Sequence, residues 1–283
     1  MIDQRRTVGA LLFRAFVYIF CIVLGVMSIF PFLIMFVNAT RSTPQIQSQS
    51  LSLIPSTFIG TNLRAISKGA FNTLVGFRNS LTVAGGTTIC AIYFSSLTAF
   101  ALTAYNWKLR QPFFTFIMAV MMIPGQLVAI GFYRMIWNVG LTNNFLPLIL
   151  PAIASPAIVF FMRQYLLATF SMDIVNSARI DGAGEFRIFN QIILPMMKPA
   201  LATQAIFVFV TSWNSLFMPS VLLNKTDLYT MPMMVNLLRG DIYRTEYGAI
   251  YLGLSLSIIP LFILYFTLSR YIIAGIQLGG VKE

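Results

Sequence analysis

Six stretches of this 283-residue chain, 15–37, 80–102, 113–133, 145–162, 199–222 and 247–269, contain no Asp, Glu, Lys or Arg. The hydrocarbon layer of a bilayer is about 30 Å thick and an α-helix rises about 1.5 Å per residue, so roughly 20 apolar residues make one crossing. The pattern predicts an all-α integral membrane protein with six transmembrane helices. With 58% hydrophobic and 10% charged residues, an ordinary water-soluble domain is excluded.

The net charge of +11 would elsewhere point to nucleic acid, but here the bases sit in the connections. Six crossings put both ends on one side. The clusters Arg5/Arg6/Arg14, Lys108/Arg110, Arg163 through Lys198 and Arg270/Lys282 place that side in the cytoplasm. Arg41, Arg64, Lys68, Arg78, Arg134, Lys225, Arg239 and Arg244 fall outside, where longer loops tolerate bases. The first window is too long for a cleaved signal and lacks a small-residue cleavage pattern, so it reads as a retained span. The expected organisation is a cytoplasmic tail over 1–14, a first helix over 15–37, and an external loop over 38–79. A permease-type core over 80–269 includes an inner loop at 163–198, and a cytoplasmic tail covers 270–283. No internal repeat is evident.

Composition also removes chemistry. With no histidine, Ser-His-Asp and Cys-His nucleophile systems and His-ligated zinc are excluded. Cys21 and Cys90, each inside an apolar run, read as buried small hydrophobes. All eight acids (Asp3, Asp173, Asp181, Glu185, Asp227, Asp241, Glu246 and Glu283) lie in connections or tails, so no carboxylate is placed to carry protons across the membrane. The chain has no G-x-x-x-x-G-K-[ST] loop for nucleotide phosphates. Energy for any pumping must therefore enter through another chain.

The inner loop is the most informative segment. It reads as helix, break, helix. Ser171 or Asp173 can cap a short first helix in which Ile174 and Ala178, four apart, form an apolar face. Gly182 and Gly184 break it. The second piece spaces Phe186 and Phe189 three apart and Ile188 and Ile192 four apart, and Pro195 stops or bends it. Small residues at Ser177, Ala178, Gly182 and Ala183 suit close docking into a groove of a soluble partner. On pattern alone, a helix lying flat on lipid headgroups fits equally.

From Asn176 the run Asn-Ser-Ala-Arg-Ile-Asp-Gly-Ala, followed by Ile193, Leu194 and Pro195, resembles the EAA loop of bacterial ABC-importer permeases. The run Asn-Ser-Leu-Thr-Val-Ala from Asn79, the pair Ala104-Tyr105, the pair Trp213-Asn214 and the tail Gly279-Gly-Val-Lys282 are similar to the maltose-type carbohydrate permease family. The resemblance covers roughly residues 50–283 and places the chain in the bacterial cytoplasmic membrane. It implies that residues 176–182 insert into a cleft on a cytoplasmic ATPase, through Asn176, Ser177, Ala178, Ile180, Asp181 and Gly182 with Ala183 at the same corner. Phe189, Leu194 and Pro195 would support that corner, and Gly280 and Lys282 would approach the ATPase pair. Implied partners are a second homologous permease, two ATPase subunits and an external sugar-binding protein, working by alternating access. ATP and Mg would be bound by the ATPase, with no cofactor and no catalytic residue in this chain. Asn176 and Ser177 depart from the family's glutamate and first alanine, so a salt bridge to the ATPase would be replaced by an amide hydrogen bond.

Sugar recognition uses aromatic faces and neutral polar groups, which makes Tyr133, Trp137, Trp213 and Asn214 the candidates for lining a passage. Each has a structural alternative, as an interfacial aromatic or an amide satisfying a neighbouring helix. The sequence-level conclusion is a permease subunit of an ATP-driven carbohydrate importer. The alternatives are a permease for a polyol phosphate or peptide, or a membrane scaffold.

Overall fold

Every regular element among the described residues is a helix, and no strand forms. The structure, a computed structural model, describes residues 8–68, 71–238 and 246–280. Arg5, Arg6, Arg239, Arg244 and Lys282, used above for orientation or for the tail contact, lie outside the described residues. The chain divides into two compact units, one running up to Phe71 with Leu237–Leu256, the other Asn72–Asn236 with the chain from Ser257 onward.

The first unit holds α1 (Val8–Ala39), α2 (Thr43–Ser48), α3 (Ile59–Lys68) and the start of the last helix, Tyr247–Gly280. Every described side chain from Phe13 to Leu33 on α1 is exposed, as befits an apolar helix that faces lipid. Cys21 is among them, so the expectation of a buried thiol is corrected: an apolar environment here is outside the chain as well as inside it. The stretch expected as an external loop is partly helical, organised around a buried cation. Arg41, 5% exposed, donates from Nη1 to Asn38 Oδ1 (3.0 Å) and Gln49 O (2.6 Å), and from Nη2 to Gln45 O (3.0 Å). The last carbonyls of α2 thus meet a positive charge, which their dipole favours. Asn62 on α3 donates to Ala39 O (2.8 Å) and Arg41 O (3.0 Å).

The second unit is built on α4 (Thr73–Ala104), which starts seven residues before the second apolar window. Its buried Ala84, Ala91, Ser95, Ser96 and Ala99 let neighbouring backbones approach closely. The following elements are α5 (Arg110–Val120), α6 (Gly125–Asn138), α7 (Leu146–Ile149) and α8 (Pro156–Thr169). After them come α9 (Met172–Ile180), α10 (Glu185–Ile188), α11 (Leu194–Met196), α12 (Lys198–Trp213), α13 (Phe217–Leu222) and α14 (Met231–Leu237); the last helix is α15. Phe100, Met162, Leu166, Ile188, Phe189, Ile193 and Met197 form the centre of the core.

Asn79, fully buried near the start of α4, donates to Asp227 O (2.9 Å) and Tyr229 O (3.0 Å), while Ser80 Oγ accepts from Met231 N (2.7 Å) at the start of α14. Replacing Asn79 by Leu strips two carbonyls of their donor and should cost about 2–4 kcal/mol, read as a lower melting midpoint of the purified protein. An unchanged midpoint would remove this tie from the account.

Four helical stretches are long and apolar enough to cross a membrane: Phe13–Ala39, Thr73–Ala104, Leu146–Thr169 and Tyr247–Thr267. A fifth results if Glu185–Met196 and Lys198–Trp213, bent by 79°, count as one span. The third expected window is two helices, α5 and α6, because Pro124 has no N–H to continue the ladder and its ring excludes the preceding turn. The fifth window likewise ends as a helix at Trp213 and resumes as the short α13.

Candidate functional site: a glycine corner and a hydroxyl-lined cleft

Ser171 caps α9, its Oγ accepting from Asp173 N (3.3 Å). Asp173 in the first turn and Arg179 in the last both complement the helix dipole. Val175 and Ala178 are buried and Ile174 is half-buried, so the inner face is centred three residues back from Ala178 rather than four. The helix closes with two reversed bonds, Gly182 N to Arg179 O (3.0 Å) and Ala183 N to Ala178 O (2.9 Å), with Gly182 at φ +81°. This is the Schellman arrangement, in which a left-handed residue satisfies the last carbonyls. No neighbour lies within 4 Å of where a Cβ at Gly182 would stand. The glycine is therefore required by backbone conformation and not by lack of room.

An ion pair spans the corner. Arg179 Nε donates to Glu185 Oε1 at 2.6 Å, and Tyr105 at the exit of α4 donates its hydroxyl to Glu185 Oε2. The Arg179 guanidinium also lies 5.7 Å from the Tyr105 ring centre. The hydrogen bond from Arg179, followed by that from Tyr105, holds the Glu185 carboxyl below its ordinary range. Burial, reinforced by Glu185, pushes the Tyr105 phenol up to about 12. Neither group changes charge near neutral pH, so the brace is constant there. Sequence reasoning missed Tyr105, Arg179 and Glu185 as a unit; its signal was opposite charges six residues apart across a Gly-Ala-Gly run.

Asn176, Ser177, Asp181 and Gly182 are exposed on this corner. Ile180 is 86% and Phe186 72% exposed, two large apolar groups held out on either side of the turn. Phe189 is buried, its ring 5.8 Å from Phe100 and 5.7 Å from Tyr93; Leu194 is half-buried and Pro195 exposed. Between them the helix widens into one π-type turn at Phe189–Ile193. Gly280 is the last residue of α15, and Lys282 lies outside the described residues.

The four passage candidates are not brought into one constellation. Tyr133 and Trp137 pack on each other along α6, with ring centres 6.1 Å apart. Trp213 is 1% exposed, stacked on Phe209 at 5.6 Å, and donates Nε1–H to Ser257 O (3.0 Å), while Asn214 is exposed at the end of α12. A cleft of about 620 Å³ opens instead among α4, α7, α8, α12 and α13, where Thr87, Ser155, Thr211, Ser212 and Ser215 interrupt apolar walls. No charged side chain lines it. Single hydroxyls within apolar runs gave the sequence reading no signal, because helices absorb them by bonding to the preceding turn. Among the described residues no group of three or more His, Cys, Asp or Glu is placed to hold a metal ion.

An apolar helical core with an uncharged cleft, and a braced corner that exposes apolar side chains, fit a membrane permease. The chain belongs to the family described as binding-protein-dependent transport system inner membrane component, whose pattern matches residues 91–277. It is 34% identical over 257 residues to the arabinooligosaccharides transport system permease protein AraQ of Halalkalibacterium halodurans, covering 90% of this chain and 91% of that one. To the lactose transport system permease protein LacG of Rhizobium radiobacter it is 30% identical over 256 residues, covering 90% and 92%. A crystal structure of a bacterial ABC transporter involved in the import of the acidic polysaccharide alginate contains a chain of the same fold. Its TM-score is 0.81 at 18% identity, over 95% of this chain and 100% of that one.

Proposed function

We propose that this chain is the transmembrane permease subunit of an ATP-driven, binding-protein-dependent importer of a neutral carbohydrate. The observation that carries the reading beyond the family is the corner at residues 176–186. Ile180 and Phe186 are held out by a turn that Arg179, Glu185 and Tyr105 brace against the exit of α4. A partner that pushes on this corner moves α4 with it. Asn176, Ser177, Ala178, Ile180, Asp181, Gly182 and Ala183 form the docking helix and its turn. Phe189, Leu194 and Pro195 support them from the helix behind, and Gly280 and Lys282 extend the tail towards the same partner.

The partner is a cytoplasmic ATPase pair that binds ATP and Mg; a second permease and an external sugar-binding protein complete the assembly. In this reading the chain crosses the cytoplasmic membrane six times with both ends inside, α5 and α6 together forming one broken crossing. The uncharged cleft with five hydroxyls suits a polyhydroxyl solute and offers no cation for a phosphorylated polyol. Tyr133, Trp137 and Asn214 are the further contacts for ring faces and hydroxyls, with Trp213 positioning Asn214 from the core.

The test is mass spectrometry of what co-purifies with the chain from native membranes in mild detergent. An ATPase, a second permease and a sugar-binding protein are expected; none of them, under conditions that preserve comparable complexes, would overturn the reading. Asn176→Glu should leave ATPase association intact or raise it, because position 176 is exposed and bonded only at 3.5 Å to Arg179. Loss of assembly in that variant would mean a partner surface co-adapted to the amide.

A further inference from the structure

The joint between α5 and α8 carries a cation pair with no carboxylate beside it among the described residues. The Arg163 guanidinium on α8 lies 4.1 Å from the ring centre of Phe114. Phe114 stands one turn beyond Arg110 on α5, which puts Arg110 on the face turned to α8, where its charge acts on Arg163. Neither helix contains Asp or Glu, and residues 105–109, which lead into α5, contain none either. Arg163 Nε is shielded from solvent and has no hydrogen-bond partner among the described residues. Lys108 adds a third cation two residues ahead, and α5 begins without a side-chain cap for its first amides.

Two repelling charges are relieved together by one anion. The surroundings identify its class. Leu109, Phe113 and Phe116 expose apolar surface along α5, and the half-exposed Trp107 ring lies 5.9 Å from Phe113, the amphipathic aromatic pairing of a membrane interface. Phe114 lies about 6 Å into α5 and Arg163 about 9 Å from the end of α8, so both sit at similar depth below the helix ends. A free phosphate would use the charges and leave the apolar border unfilled.

We infer that Arg110 and Arg163 bind the phosphate group of an anionic phospholipid whose acyl chains lie along the exposed face of α5. The leaflet, the cytoplasmic one, rests on the orientation proposed above; the binding itself does not.

The test is native mass spectrometry of the full-length chain, alone and with its co-purifying partners, supplied with equal amounts of phosphatidylglycerol and phosphatidylcholine. Phosphatidylglycerol should be retained preferentially, and Arg110→Gln and Arg163→Gln should each cut that preference about fivefold, one basic contact apiece. Arg163→Lys should keep most of it, and Arg64→Gln, exposed on α3, should change nothing. Arg110→Gln alone decides the matter if Arg163→Gln lowers the melting midpoint. Equal retention of the two lipids, or an unchanged preference in a folded double variant, would overturn the inference. So would displacement by millimolar inorganic phosphate, which assigns the site to a free anion. Loss of lipid whenever the partner permease is bound would also overturn it, by assigning the cations to a partner carboxylate. None of these outcomes touches the ATPase co-purification that tests the importer reading.

Discussion

A Gly248→Ala variant is expected to lose about 3–5 kcal/mol of stability, the largest effect of any single methyl group in the first unit. The added Cβ would stand 2.4 Å from the Arg41 carbonyl oxygen and 2.5 and 2.6 Å from the two amide atoms of Asn62. Nothing in that contact is a flexible tip. The Arg41 backbone is fixed by its own side chain, which bonds three acceptors, and Asn62 is fixed by the Ala39 and Arg41 carbonyls at the C-terminal end of α1. The methyl must therefore break buried hydrogen bonds as well as overpack, and the two penalties add. Gly253→Ala is the internal comparison: its Cβ meets Leu238 Cδ1 at 2.9 Å, the end of a side chain that can turn away, for a cost of about 1 kcal/mol. Thermal melting of the two purified variants checks the argument. Gly248→Ala should melt roughly 10 °C below the parent and well below Gly253→Ala. Coincident midpoints would show that the Arg41–Asn62 knot yields easily.

The difference between those two glycines was not legible in the sequence, and the reason is general to this chain. Period and length report that a residue is apolar and helical; they do not report which backbone it passes. Four of the six apolar windows fall on helices long and apolar enough to cross a membrane, and a fifth on a bent pair; the prolines were visible, yet Pro124 and Pro31 look alike on paper. The structure breaks the helix at the first and carries α1 through the second. The inner loop was read in more detail because its signals are local: a serine cap, a glycine stop and the spacing of apolar residues need no tertiary knowledge. What stayed hidden there was the partner from far along the chain. Tyr105 reaches Glu185 across 80 positions, and Val175 is fully buried while Ile174 is only half-buried. Trp213 shows a different limit of pattern. Its chemistry suits a sugar ring, but its indole N–H is already given to Ser257 and its faces to Phe209 and Phe77.

Gly182→Val should uncouple ATP hydrolysis from uptake while leaving the protein folded in the membrane. The sequence alone argued that the corner needs a small residue; the structure replaces that reason. Room for a side chain is present, and the obstacle is φ +81°, a left-handed conformation that carries a penalty of roughly 1–2 kcal/mol for an ordinary residue and more for a β-branched one. A valine relieves it by rotating the turn, which breaks the bonds to Arg179 O and Ala178 O and separates Arg179 from Glu185. At 1–2 kcal/mol or more the equilibrium towards the braced corner falls at least about 5- to 30-fold, and uptake in proteoliposomes of the assembled transporter should fall by a similar factor. ATP hydrolysis should fall less on the importer reading proposed above, which assigns the nucleotide to a separate chain. Asparagine tolerates the left-handed region, so Gly182→Asn should keep most of the uptake although its side chain is larger than alanine's. That ordering separates the two explanations. If Gly182→Ala transports better than Gly182→Asn, bulk is what the corner excludes; if asparagine matches or exceeds alanine, the backbone conformation is what coupling requires.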